Sequence, residues 1–280
     1  MTTTTSNYTD QLREQLSEHR RRLAFASPKA FAQVYLQKHF SLSPSRMHDE
    51  LFALLEQASR SRSQRMAFAA PRGHAKTTVV SLAYVLWSAL YEKETFIVLV
   101  SATREQAALL LKAVRDEIET NPLLHTDFPE CCYPPGSKRA PKPWRSDMIV
   151  LRNRVAVRAL GAGQGFRGAK HGKDRPSLII VDDLEDQEQT ASADQREKLR
   201  DWFSKTLLKS GTRDTNVIVV GTIMHYDSLL ANLVDTRPVK ASGWKGRKYQ
   251  AVEVFSTTTV RLTSSVFDAM IAYSLVSYSR

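Results

Sequence analysis

The sequence predicts an α/β fold, a mainly parallel sheet flanked by helices and preceded by a helical N-terminal region. Three observations predict it. From Arg65 onward, short and nearly all-apolar runs alternate with helical stretches, the pattern of a sheet covered on both faces. One run, 66–70, passes through a glycine-containing turn directly into an apolar helix. Another, 177–182, ends in the adjacent carboxylates Asp182 and Asp183.

In chain order, residues 1–10 are Thr-rich and polar and predict a disordered start, followed by a charged helix over 11–24. Ser27-Pro28 is an N-cap and first-turn pair opening a helix to about Lys38. A further helix, 47–58, carries Leu51, Leu54 and Leu55 on one face. Strand 66–70 precedes a helix over 76–91, and strand 95–101 precedes an amphipathic helix over 104–119. Runs 148–151 and 155–160 can pair as a hairpin across Asn153. Strands at 177–182 and 216–221 enclose a helix over 194–208. This divides the chain into a helical region 1–62, an α/β domain 63–252 and an atypical tail 253–280.

Composition narrows the function classes. The 280 residues are 42% hydrophobic, enough for a substantial core, and carry a net charge of +11 that favours a polyanionic partner. Adjacent Cys131 and Cys132 make neither a disulfide framework nor a zinc site and suit a reducing cytoplasm. No signal-peptide core and no membrane-length apolar run is visible, so a soluble intracellular protein without membrane association is expected.

The turn after the first strand reads Ala70-Pro71-Arg72-Gly73-His74-Ala75-Lys76-Thr77-Thr78. Between a strand and a helix, such a loop points backbone N–H groups and a helix N-terminus at the phosphates of a nucleotide. Lys76 is placed to contact the β- and γ-phosphates, and the Thr77 hydroxyl to ligate Mg²⁺. Ala70 and Ala75 stand where the usual pattern has glycine, and alanine disfavours positive φ. The run Leu178-Ile179-Ile180-Val181-Asp182-Asp183 is the matching acidic strand, with Asp182 as Mg²⁺ ligand. The base that polarises the attacking water is Asp183 or, one methylene longer and two positions on, Glu185. A third strand ends in Gly221-Thr222, where a small polar residue can lie between the carboxylates and the γ-phosphate.

Together with Arg175-Pro176 before the acidic strand and Ile223-Met224-His225-Tyr226-Asp227 after Thr222, these segments resemble the large terminase subunit that packages DNA into tailed-phage heads. The resemblance covers about 35–252. It implies an ASCE-type P-loop fold and ATP-driven translocation of double-stranded DNA by a ring of subunits. A portal protein and a small terminase subunit would be its partners, and the host cytoplasm its place of action. It also gives Arg72 a contact with the γ-phosphate, Thr222 a place in the coupling motif, and Ser101-Ala102-Thr103 the position of a helicase-like motif. Members of that family continue into a nuclease with clustered carboxylates, whereas beyond Val252 the only acids are Glu253 and Asp268. The expectation is therefore an ATPase without the nuclease half, carrying a truncated or frameshifted tail. The alternatives are a fragment that binds nucleotide or DNA without turnover, and a helicase-like P-loop ATPase.

Residues 138–175 hold eleven Lys or Arg against two Asp. Arg152, Arg154, Arg158, Arg167, Lys170 and Lys173 are the DNA-contact candidates, because cations on a glycine-containing backbone suit repeated phosphate contacts. Some of them can equally serve nucleotide or a neighbouring subunit.

Overall fold

The computed structural model describes residues 2–133, 144–165, 175–235, 243–250, 252–255 and 260–262. Its centre is a seven-stranded sheet. The strands are β1 (Arg65–Ala69), β2 (Phe96–Ser101), β3 (Met148–Val150), β4 (Ala156–Gly161), β5 (Leu178–Asp182), β6 (Asn216–Gly221) and β7 (Lys245–Lys248), in the spatial order β3-β4-β2-β5-β6-β1-β7. Every pairing is parallel except β3 with β4, whose antiparallel register Met148↔Arg158 to Val150↔Ala156 is the expected hairpin. A separate pair, β8 (Val252–Phe255) and β9 (Val260–Leu262), is antiparallel.

Alternation along the strands builds two cores. Met66, Phe68, Ile97, Leu99, Ile180 and Ile218 face one side, and Ala67, Val98, Val100, Ile179, Val181 and Val219 face the other. Strands buried on both faces have no polar side to show, which is why they read as continuous apolar runs.

The first face is covered by α1 (Thr2–Phe25), α2 (Pro28–Tyr35), α3 (Arg46–Ser59), α4 (Val85–Leu90), α5 (Arg104–Thr120) and α6 (Pro122–Asp127). Ser27 caps α2 as expected, accepting from the Ala30 amide at 3.1 Å. The helix before α4 is a π-helical stretch, Thr78–Tyr84, continuous with residues 76–77 and with α4. Residues 79–90 are all buried, so this helix is wedged between the sheet and α1–α3. The second face is covered by α7 (Gln187–Ala191), α8 (Ala193–Trp202), a π-helical turn (Phe203–Leu207), α9 (Leu208–Ser210) and α10 (Leu229–Val234).

Two expectations need correction. The N-terminal helix begins at Thr2 rather than near Gln11. Extending a helix that already exists costs far less than nucleating one, so a docked helix can carry poor helix formers at its free end. The expected helix to Lys38 stops at Tyr35 and closes with a 3₁₀ turn, Gln37–His39.

The N-terminal helices are tied down by polar contacts at buried positions. Asp127 is fully buried and accepts from Arg20 Nε at 2.7 Å, Arg20 Nη2 at 2.5 Å and Tyr35 Oη at 2.8 Å. Trp87 Nε1 donates to the Ala24 carbonyl at 3.0 Å, and Tyr91 Oη to the Arg21 carbonyl at 2.7 Å. Removing one partner of a buried hydrogen-bonded charge leaves the others unpaired, at a cost of about 3 kcal/mol. Arg20→Ala is therefore expected to lower unfolding stability by about 3 kcal/mol in urea titrations because it leaves Asp127 buried without its cation, with Asp127→Ala losing less because Arg20 is partly exposed and can return to water.

Candidate functional site

The topology brings three strand ends together. β6 lies between β1 and β5, with Ala69 opposite Gly221 and Asp182 opposite Val220. Open α/β sheets bind ligands beyond the C-terminal ends of their strands, and the loop after β1, the acid pair and Thr222 all emerge there. The loop, Asp183 and Thr222 line a cleft of about 400 Å³ together with Gln106, Glu185 and Met224, with Asp182 buried behind them.

The loop turns through Gly73 (φ 77°) and Ala75 (φ 49°) before the helix begins. Alanine thus occupies the left-handed region that the sequence reading identifies as unfavourable for it, at a local cost of about 1–2 kcal/mol. Lys76 is buried and its Nζ lies 3.3 Å from Asp183 Oδ2. Thr77 Oγ1 donates to Asp182 Oδ1 at 3.2 Å, and Ser81, one turn further on, donates to Asp182 Oδ2 at 2.6 Å. One carboxylate is thereby held by two hydroxyls of the same helix. Ser101 Oγ donates to the Asp182 carbonyl at 2.8 Å, and Thr103 caps α5 by accepting from Gln106 N.

Asp182 is buried, and burial first, then the neighbouring Asp183, pushes its carboxyl up to about 6 against the pull of Ser81, Thr77 and Lys76. Asp183 is half exposed, at φ 42°. Its Oδ1 accepts from the Thr222 amide at 3.1 Å and would be 3.2 Å from a Cβ at position 221, so glycine there leaves the space it uses. The Thr222 hydroxyl donates to the Ala70 carbonyl at 3.2 Å, so this residue touches both the acid pair and the start of the loop. Arg72 Nη2 reaches Met224 Sδ at 3.4 Å on the rim of the cleft. Pro71 and Thr78 flank the loop on the strand and helix sides.

The two candidates for the base differ in their surroundings. Glu185 accepts from the Leu229 amide at 2.6 Å and the Leu230 amide at 2.9 Å, so both its oxygens are spent on the first turn of α10. Asp183 faces Lys76 and the open cleft.

Among the described residues, the basic candidates lie outside the cleft. Arg152 and Arg154 sit in the β3–β4 turn, beside the N-terminal end of β4, away from the strand ends that carry the cleft. Arg152 donates to the Pro129 carbonyl at 2.6 Å, tying down the segment after α6. Arg158 is half-buried within β4. Arg167, Lys170 and Lys173 lie outside the described residues.

Sequence reasoning missed Ser81 and His48, whose Nε2 reaches the His74 carbonyl at 3.0 Å. Neither belongs to a motif. Their only signal is spacing, Ser81 four residues after Thr77 on one helix face, and His48 three residues after an N-cap serine.

The raised Asp182 carboxyl makes a stability prediction. Its folded value lies above the unfolded one, so the stabilisation belongs to the protonated form; it is complete below about 3.8 and lost as pH rises through about 6. Asp182→Asn avoids that loss. It is expected to be more stable than the wild type at pH 7.5, by up to about 3 kcal/mol, with the difference vanishing near pH 4. Thermal melts of both proteins across that pH range measure it.

Comparison with one solved structure supports the architecture. The crystal structure of the HK97 bacteriophage large terminase superposes with a TM-score of 0.50 at 17% sequence identity, over 78% of this chain and 42% of that one. The chain therefore spans less than half the length of that protein. The Thermus phage P74-26 large terminase ATPase domain gives a TM-score of 0.46 at 10% identity, over 76% of this chain and 83% of that one. No protein-family model and no curated protein sequence matches the chain. The fold is thus a mainly parallel α/β sheet flanked by helices, with strand β6 lying between the loop strand and the acid strand.

Proposed function

We propose that the chain is an Mg²⁺-dependent ATPase, the motor domain of a DNA-packaging terminase large subunit. The observation that carries this reading is the meeting of Lys76 and Thr77 with Asp182 and Asp183 across two strand ends, at 3.2–3.3 Å. The paired oxygens of Thr77 and Asp182 fit a hard cation that takes few protein ligands and keeps its remaining positions for water and phosphate. Bound there, Mg²⁺ would neutralise charge building up on the phosphates.

The remaining work falls to the chain. The loop amides and Lys76 bind phosphate, and Arg72 on the rim adds positive charge toward the γ-phosphate. Asp183 orients the attacking water and accepts its proton, because Glu185 is committed to the α10 amides. The Lys76–Asp183 contact must open for phosphate to enter, which frees Asp183 as it occupies Lys76. Thr222, bonded to Asp183 and to the loop, carries that change to β6 and onward.

Double-stranded DNA is the proposed substrate of the motion, a homo-oligomeric ring its working form, and a portal protein and small terminase subunit its partners in the host cytoplasm. The net charge of +11 supports the polyanion. Among the described residues no helix is long and apolar enough to cross a membrane. Residues 1–62 form the proposed helical region and 63–252 the proposed motor domain, with no nuclease activity expected of 253–280.

Three measurements test the reading. Steady-state turnover of Mg·ATP, with and without double-stranded DNA, is expected to be detectable in the wild type and absent in Lys76→Ala. Asp183→Asn is expected to lower turnover by about 10²-fold or more while still binding nucleotide, and Glu185→Gln to lower it less. No turnover in any oligomeric state would favour a nucleotide-binding fragment instead. DNA affinity is expected to fall steeply between low and moderate salt, and salt-independent binding would contradict the phosphate contacts.

A further inference from the structure

A phosphate loop works only if its amides converge on one side while its carbonyls point away. In this chain two of those carbonyls are held by imidazoles. His74 is buried, and its Nδ1 lies 2.9 Å from the Arg72 carbonyl, which can only accept, so Nδ1 carries the hydrogen. The His74 carbonyl lies 3.0 Å from Nε2 of His48, a residue of the first turn of α3.

The state of His48 follows from its other nitrogen. The Ser45 backbone amide, which can only donate, is 3.0 Å from His48 Nδ1, and Ser45 Oγ is 2.8 Å from the same atom. His48 Nδ1 is therefore an acceptor, and its hydrogen sits on Nε2, directed at the loop. Burial holds this imidazole below its ordinary value, which keeps it neutral and in that form. His48 thus closes the N-terminus of α3 with one nitrogen and fixes the loop with the other.

The contact lands where the loop most needs it. The His74 carbonyl belongs to the peptide entering Ala75, the residue in the left-handed region. An alanine there resists that conformation where glycine would not, so an external hydrogen bond on the preceding carbonyl has a definite task. It also fastens the loop to α3, a helix outside the α/β domain proper, whose face is anchored by Leu51 and Leu55.

We propose that His48 is a positioning residue for the phosphate loop, holding the His74 carbonyl outward so that the amides around Ala75 and Lys76 stay directed at bound phosphate. This rests on the reading of the loop as a phosphate site. The glutamine side chain can reproduce both bonds at this third helical position, accepting from the Ser45 amide through Oε1 and donating to the His74 carbonyl through Nε2. Asparagine is a methylene too short.

The test is binding of a fluorescent N-methylanthraniloyl-ADP in the presence of Mg²⁺ to the full chain, with tripolyphosphate as competitor and thermal melting as a fold check. His48→Ala and His48→Asn are expected to bind both probes about tenfold more weakly, the loss of one hydrogen bond, with His48→Gln within about threefold of the wild type. If His48→Ala fails to fold, the Asn and Gln pair still decides. Wild-type binding matched within twofold by Asn overturns the inference and leaves the phosphate site standing. Weakening confined to the nucleotide, with tripolyphosphate unaffected, also overturns it, since His48 would then act on base or ribose. Absence of wild-type binding to either probe removes the phosphate site itself, a result distinct from the other two.

Discussion

The structure depends on one desolvated carboxylate. Asp182 closes a strand buried on both faces, so its charge is removed from water and needs partners supplied by the protein. Ser81 and Thr77 supply hydroxyls from a single helix, which fixes that helix against the end of β5. Ser101 takes the carbonyl of the same residue from β2, on the other side. The loop between β1 and that helix then has little freedom. It must cross over the end of β6 to bring Lys76 and Thr77 to the acids, which is why Thr222 at that end touches both.

Much of this was legible in the residues, for a physical reason. Strands buried on both faces have to be apolar throughout, and β1, β2, β5 and β6 all announce themselves that way. The acids and the loop are legible because chemistry restricts them to a few residue types at strand ends. β7 was not legible. Its sequence is Lys-Gly-Arg-Lys, charged as edge strands tend to be, and it exists because Gly246 lets the backbone of Val234 approach where a Cβ would come within 2.6 Å. The choice between Asp183 and Glu185 was equally closed to sequence, because the amides that occupy Glu185 belong to a helix over forty residues later.

The positive charge shows the same limit from the other direction. Clustering between 138 and 175 suggests one surface, but the hairpin turns that segment back on itself. Arg152 and Arg154 fall by the N-terminal end of β4, at the opposite end of that strand from the strand ends that carry the cleft. Proximity in sequence becomes separation by the length of a strand, about 20 Å for six residues.

The contacts also define how an event at the acids can reach the rest of the molecule. Asp183 Oδ1 holds the Thr222 amide, and the chain from Thr222 runs five residues to Asp227. Asn232 first, then Arg200 and Arg196 of α8, hold the Asp227 carboxyl below its usual range. Arg196 is itself buried and donates to the Thr190 carbonyl at the end of α7. The acid pair, the end of β6, α7 and α8 are thus linked by hydrogen bonds at either end of segment 222–227, and Glu185 adds a separate tie to the start of α10. A shift of Asp183 away from Lys76 acts directly on Thr222, whose amide it holds and whose hydroxyl is bonded to the Ala70 carbonyl. The next groups along that path are segment 223–227 and the arginines that hold Asp227, so a change at Asp183 is communicated to α8 through these contacts.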